Sequence, residues 1–534
     1  MSRSGRRAAR TLALLSALVL LIALASTATA SAASSLRFFD ITASDGVVLK
    51  ANVYEPDASF TGPRPAIVFI NSWGLNQAEY LAQAKSFADQ GYVVLSYTTR
   101  GFYGSGGNIE TAGPKDIGDV TTAINWMLAN TRADSAKIGA AGISYGSGIS
   151  LLAAAADPRI RAVGAMSTWT DLVFSLFANQ TRHNQAAGLL KLAGDLTGHP
   201  SPELNATLSD FFANRNIPGL TAFAAPRSAK NVVGQINANN PAILMENAYG
   251  DSLFAPNQLA DFFGQLTTPK RLELRPGDHA IPELTGLLGI QNDAWTSVHR
   301  WFDQYLKSVN TGIATENPVV LQLRDSGAYE SYPSWGAITT SSLKLGLSDV
   351  HWWSSEGDLL TNTTQTGWTD SIPGGIDTTA NGGVVLLTNG AEALTGDLPY
   401  LWVPTVSRIS AGVWQSSYFS GVRRIRGAAK LHLTVTPSNS GQSTVIAYLY
   451  DVDGLGNGRL LTHVPYTLRG TTGGRAYTID TDFPATAYDL PSGHRLSLIV
   501  DTVDPLYGDS APLLSSVKFS SPSGNASYVS VPLR

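Results

Sequence analysis

The run Lys137-Ile138-Gly139-Ala140-Ala141-Gly142-Ile143-Ser144-Tyr145-Gly146-Ser147-Gly148-Ile149-Ser150-Leu151-Leu152-Ala153-Ala154-Ala155-Ala156 decides the fold. Ile138 to Ala141 reads as a short buried strand and Ser147 to Ala156 as a helix. Between them lies Gly142-Ile143-Ser144-Tyr145-Gly146, a G-x-S-x-G motif. The glycines suit a turn that brings backbone against backbone, where a Cβ would clash. Such a strand–turn–helix lifts the serine above a sheet, at a helix N-terminus that favours negative charge.

The surroundings agree. Ala66 to Asn71, Tyr92 to Tyr97, Lys137 to Gly142, Arg161 to Met166, Ala242 to Asn247 and Arg271 to Leu274 are short apolar runs. Runs of this length, buried on both faces, suit parallel strands. Helical stretches alternate with them at Ala78 to Gln90, Asp116 to Ala129 and Asp293 to Lys307. This alternation predicts a parallel sheet with helices on both faces, here of the α/β-hydrolase fold, over residues 36–315. Asp171 to Asn240, punctuated by Pro200, Pro202, Pro218 and Pro226, reads as an inserted helical cap over the sheet's carboxyl edge.

A serine hydroxyl needs a base, and in this fold the order is serine, acid, histidine. His279 directly follows the last predicted strand, in Pro276-Gly277-Asp278-His279-Ala280, and is the expected base. Asp251 comes off the end of the preceding strand and is the expected acid, with Glu246 and Asp278 as competitors. The oxyanion needs two donors. The backbone N–H of Tyr145 is one; Trp73, in Ser72-Trp73-Gly74, offers its backbone or its indole N–H as the other. The Gly-rich loop after Arg100 has no phosphate-loop lysine and reads as part of the site floor. Asp451-Val452-Asp453-Gly454 has the look of a calcium-loop fragment without the spaced ligands or final Glu, so a hairpin turn is expected.

After about Glu316 helical periodicity fades and Thr, Ser, Gly and Val rise. Short alternating runs at Ala429 to Pro437, Ser443 to Tyr450, His463 to Leu468 and Arg495 to Asp501 predict an all-β sandwich or jelly roll over residues 316–534. At the other end, Arg3, Arg6, Arg7 and Arg10 precede an uncharged run from Thr11 to Ala25 and the small-x-small triplet Ala30-Ser31-Ala32. That is the form of a secretory signal peptide over residues 1–32; an uncleaved anchor is the alternative. The chain has no cysteine, which excludes disulfides, a thiol nucleophile and a cysteine zinc site. Net charge is −4 with no basic run in the mature part, so neither nucleic acid nor an anionic membrane is an expected partner.

From about Phe39 to the C-terminus the chain resembles the X-Pro dipeptidyl-peptidase and cocaine esterase family. The matching pieces are Tyr97-Thr98-Thr99-Arg100-Gly101, Ile124-Asn125-Trp126, the serine motif, Gly250-Asp251, Gly277-Asp278-His279 and Arg300-Trp301-Phe302-Asp303. In the β-rich part, Ala447-Tyr448-Leu449-Tyr450-Asp451-Val452 and Gly493-His494-Arg495-Leu496 resemble the family's jelly-roll domain. The resemblance implies Ser144, Asp251 and His279 as the triad, and a tyrosine hydroxyl as one oxyanion donor where this chain has Trp73. Thr98 also stands where the family often has aspartate. The expected reaction is acyl transfer to water with no metal or organic cofactor, on a small-molecule or peptide acyl substrate. A dipeptidyl-peptidase must hold a free ammonium. The cap offers only the scattered acids Asp171, Asp195, Glu203 and Asp210, so uncharged esters or amides are the expected substrates, with Xaa-Pro dipeptide release as the alternative.

Overall fold

A computed structural model describes residues 34–534; the leader expected over residues 1–32 lies outside them. The first unit is built on ten strands: β1 (Ser35–Thr42), β2 (Val48–Glu55), β3 (Arg64–Ile70), β4 (Val93–Tyr97), β5 (Ala133–Ile143), β6 (Ile160–Met166), β7 (Ala242–Ala248), β8 (Lys270–Arg275), β9 (Val319–Gln322) and β10 (Tyr329–Tyr332). Their order is β1-β2-β4-β3-β5-β6-β7-β8-β9-β10, parallel from β4 to β9 and antiparallel at both edges. Successive residues of a strand point to opposite faces, and both faces here are buried. In β3, Ala66, Val68 and Ile70 pack with the helices Pro114–Asn130 and Tyr145–Ala156. Ile67 and Phe69 pack with Leu81–Asp89 and Asp293–Leu306 on the other side.

The order reverses direction between β3 and β5. At such a switch point the loops leaving the two carboxyl ends splay apart and open a crevice. Ser72 and Trp73 leave one strand there and Ser144 the other. Between β6 and β7 five helices (Leu172–Phe177, Asn184–Thr197, Pro202–Phe212, Ile217–Ala224 and Val233–Asn239) take up the segment read as a cap.

The composition change near Glu316 does not mark the end of this sheet. β9 and β10 lie beyond it, yet β9 pairs with β8 and β10 with β9. The correction has a physical cause: an edge hairpin with one wet face alternates polar and apolar residues just as sandwich strands do.

Residues 341–533 contain fourteen strands, β11–β24, of which eleven pair in one long path and three (β16, β20 and β21) branch from it. The fully buried Trp414 of β15 (Gly412–Ser416) shows the two layers meeting. Its ring lies 5.8 Å from Phe519 of β23 (Ser516–Ser521) and 6.0 Å from Trp368 of β13 (Trp368–Pro373). This is the all-β second unit of the expected fold class. Asp453 tightens the β18–β19 hairpin (Gly441–Val452, Asn457–Thr471), accepting from the backbone N–H groups of Leu455 and Asn457 at 2.8 and 2.9 Å.

The two units are locked through the cap. Arg182 reaches into the β-domain, donating its backbone N–H to Asp509 at 2.6 Å and its guanidinium to the same carboxylate at 3.0 Å. Both side chains are buried. Breaking such a pair leaves one charge uncompensated, which costs about 3–5 kcal/mol. Asp509→Ala is therefore expected to lower the denaturant midpoint of the full chain by a corresponding amount; a shift equivalent to under about 1 kcal/mol, the range of exposed pairs, would contradict this account.

Candidate active site

Ser144 sits at φ 55°, ψ −115°, a conformation a non-glycine residue holds only under constraint. The constraint is close packing of the elbow on β3. A Cβ on Gly146 would lie 1.8 Å from the carbonyl oxygen of Ile70, and one on Gly142 would lie 2.6 Å from the carbonyl carbon of Gly146. Only the G-x-S-x-G spacing lets the elbow settle there.

The structure brings together the three residues singled out by order along the chain. His279 Nε2 is 2.7 Å from Ser144 Oγ, and His279 Nδ1 is 2.9 Å from Asp251 Oδ2. All three are buried. Burial works against the imidazolium, but the charge and hydrogen bond of Asp251 outweigh it and raise the His279 pKa. Asp251 is itself held by the backbone N–H groups of Leu253 and Phe254, at 2.9 and 2.7 Å. The competing acids do other things. Asp278 accepts from the backbone N–H of His279 and from Ser252. Glu246 is buried in β7 beside Glu283, and burial together with that neighbour pushes its carboxyl well up.

Tyr145 opens its helix, so its N–H has no carbonyl one turn back to bind. Its hydroxyl donates to the buried Asp116 at 2.8 Å and accepts from the N–H of Ala112 at 2.9 Å, which fixes the residue. For Trp73 the structure separates the two alternatives. Its indole N–H, one of the two donors expected for an oxyanion, is committed to the carbonyl of Leu190 in the cap at 2.8 Å. Its backbone N–H is the donor left, and its ring is a wall, packed edge-on against Phe102 and Tyr145. Phe102 belongs to the Gly-rich loop, which touches the cap where the N–H of Tyr103 donates to the carbonyl of Thr197 at 2.7 Å.

Sequence reasoning missed what holds the β3 loop. Glu79 is fully buried and takes two hydrogen bonds from Ser72, from its N–H at 2.7 Å and its hydroxyl at 2.5 Å. The same hydroxyl lies 3.0 Å from the carbonyl of Ile143, so it ties the Trp73 loop to the serine elbow. No motif marks Glu79. Also unforeseen was the helix Thr388–Thr395, contributed by the β-domain. Asn389 donates to the carbonyl of Gly250 at 2.9 Å, and the N–H of Leu386, just before the helix, donates to Ser252 Oγ at 3.1 Å. Glu392 anchors the helix to Arg324 through a buried ion pair at 2.7 Å.

Above Ser144 opens a cavity of about 120 Å³ under the cap, walled by Trp73, Trp169, Leu172, Leu208, Phe211 and Phe254 among others. Among the described residues no carboxylate lines it.

A strained serine at a sheet's switch point, within reach of a histidine and an aspartate, is the arrangement of an α/β-hydrolase of the serine type. Residues 45–281 match the X-Pro dipeptidyl-peptidase (S15 family), and residues 311–515 match the X-Pro dipeptidyl-peptidase C-terminal non-catalytic domain. The chain belongs to this S15 family of hydrolases. Solved structures agree on the fold across both units. An aminopeptidase from a marine sediment Thaumarchaeota archaeon superposes with a TM-score of 0.70 at 13% identity, covering 96% of this chain and 98% of the other. An alpha-amino acid ester hydrolase gives 0.69 at 16%, covering 96% and 99%. A CocE/NonD family hydrolase from Staphylococcus aureus gives 0.67 at 12%, covering 94% of each. No curated protein matches the sequence significantly.

The Glu79 contact has a measurable pH signature. Burial raises its carboxyl to about 7, against the hydrogen bonds from Ser72. A raised acid binds its proton more tightly in the folded state, so its stabilisation is complete below about pH 4.5 and is lost as pH rises through 7, by about 3 kcal/mol. Glu79→Gln keeps the shape and removes the titration. The drop in denaturant midpoint from pH 5 to pH 8 is expected to shrink in the variant; an unchanged drop would exclude this role.

Proposed function

We propose that this chain is a secreted serine hydrolase that transfers acyl groups from carboxylic esters or amides to water through a Ser144 acyl-enzyme. His279 takes the Ser144 proton as Oγ attacks the acyl carbon, then gives it to the departing alcohol or amine. Asp251 holds the imidazole tautomer and stabilises the imidazolium. The backbone N–H groups of Tyr145 and Trp73 receive the oxyanion. In the second half-reaction water attacks the acyl carbon, His279 removes its proton, and that proton returns to Ser144 as the acid leaves. The observation that carries this reading is the pair of contacts, 2.7 Å and 2.9 Å, that link Ser144, His279 and Asp251. Secretion rests on the leader composition from Arg3 to Ala32.

Ser144→Ala is expected to fold and to lose turnover by about three orders of magnitude or more. A fluorophosphonate should label the parent and not the variant. Labelling of the variant at another serine would refute the assignment.

Ester preference over Xaa-Pro peptides rests on the cavity wall. An ammonium group loses hydration worth several kcal/mol on burial unless carboxylates replace it. Every acid of the cap is engaged elsewhere: Asp171 caps its helix and pairs with Lys230, Asp195 pairs with Lys191, Glu203 with Arg227 and Asp210 with Arg215. The second reading, release of an Xaa-Pro dipeptide, is favoured by the family's name and by the aminopeptidase of similar fold. The two separate on one series of substrates with a common leaving group and a free, acetylated or absent amine. The acetylated and amine-free substrates should give kcat/KM at least equal to that of the free amine. A tenfold preference for the free amine, about 1.4 kcal/mol, would support the peptidase instead.

A further inference from the structure

The cavity above Ser144 has a direction as well as a polarity. Leu204, Thr207, Leu208 and Phe211 line it at spacings i, i+3, i+4 and i+7, one face of the helix Pro202–Phe212 over two turns. Seven residues of helix advance about 10 Å. Leu220 and Phe223 of the next cap helix line it as well, as do Trp73 and Ser144. The cavity therefore includes the reacting hydroxyl and extends along about two turns of this helix beneath the cap, as a slot.

We infer that this slot holds the acyl part of the substrate as an extended, unbranched alkyl chain of about eight carbons, so that medium-chain aliphatic esters are the substrate class. The inference rests on the serine hydrolase reading above and adds to it the shape of the acyl group. Carbon–carbon bonds near 1.5 Å advance an extended chain by about 1.3 Å per carbon, so about eight carbons span the 10 Å slot. A benzoyl ring ends after about half that distance. A peptidyl acyl group brings amide N–H and C=O groups against a wall whose few polar members are threonine hydroxyls and Lys191, whose charge is paired with Asp195 at 2.5 Å. Unpaired amides are costly to bury, whereas each methylene gains by leaving water.

The test is kcat/KM on p-nitrophenyl esters from acetate to myristate, with the benzoate alongside, each below its solubility limit. From butyrate to octanoate the expected rise is about fourfold per methylene, with a maximum near eight to ten carbons and a fall beyond. Leu208→Trp, at a half-buried position in the slot's wall, is expected to move the maximum to shorter chains; Leu220→Trp serves the same purpose if the first variant does not fold. A series that is flat or falls from acetate, a benzoate faster than the octanoate, or folded variants with an unmoved maximum would overturn the inference. Fluorophosphonate labelling of the same preparation separates the two readings. Labelled Ser144 with a flat series refutes only the alkyl slot. No labelling and no turnover on any ester refutes the serine hydrolase as well, and the slot's role with it.

Discussion

The carbonyl of Ile70 at the end of β3 and the backbone of Gly146 after β5 lie so close that no side chain fits between them. Any side chain at residue 146 would drive its Cβ to within 1.8 Å of that oxygen. This contact closes the two strands at the switch point, holds Ser144 in its strained conformation, and sets the N–H of Tyr145 near the loop that carries Trp73. The neighbouring contacts reinforce it. Ser72 bridges from Glu79 to the carbonyl of Ile143, and the hydroxyl of Tyr80 accepts from the N–H of Ile143 at 2.9 Å. The elbow is thus gripped from below by β3 and from the side by two buried side chains of one short segment.

Much of this was legible in the residues. A continuous apolar run followed by glycine-flanked serine and a helix has few structural solutions, so β5 and its elbow could be read directly. Asp251 and His279 were legible because each directly follows a strand, and strand ends of a parallel sheet converge at one edge. Glu79 and Asp116 were not legible. A lone acid in a helical stretch looks like a solvated one until the fold buries it, and burial pushes both carboxyls to about 7. The direction of the Trp73 indole was equally hidden, since its acceptor, Leu190, lies 117 residues away in an inserted segment. The edge hairpin β9–β10 carries the same alternation as the sandwich, so composition alone could not assign it to the first sheet.

The cap combines these themes. Its acids are spent on capping and on ion pairs at its outer surface, while its inward faces present leucine and phenylalanine to the space above the serine. A layer that is polar outside and apolar inside is what an amphipathic helix requires. Here the inner faces join the core only in part, through Leu172, Ala186, Leu204 and Ala224, and the room left beside them is the cavity.

The helix Thr388–Thr395 changes what the second unit means for the first. It leans on the loop that carries Asp251, through Asn389 and through Leu386 to Ser252, and Ser252 in turn binds Asp278 beside His279. The loops bearing Asp251 and His279 therefore take part of their support from residues encoded more than a hundred positions later. A ribosome delivers the serine elbow first and this brace much later. A chain cut short between His279 and this helix would contain Ser144, Asp251 and His279 and lack the outer contacts to the Asp251 loop. Support of the Asp251 loop is thereby tied to completion of the chain, because the last of its contacts to be made belong to the second unit.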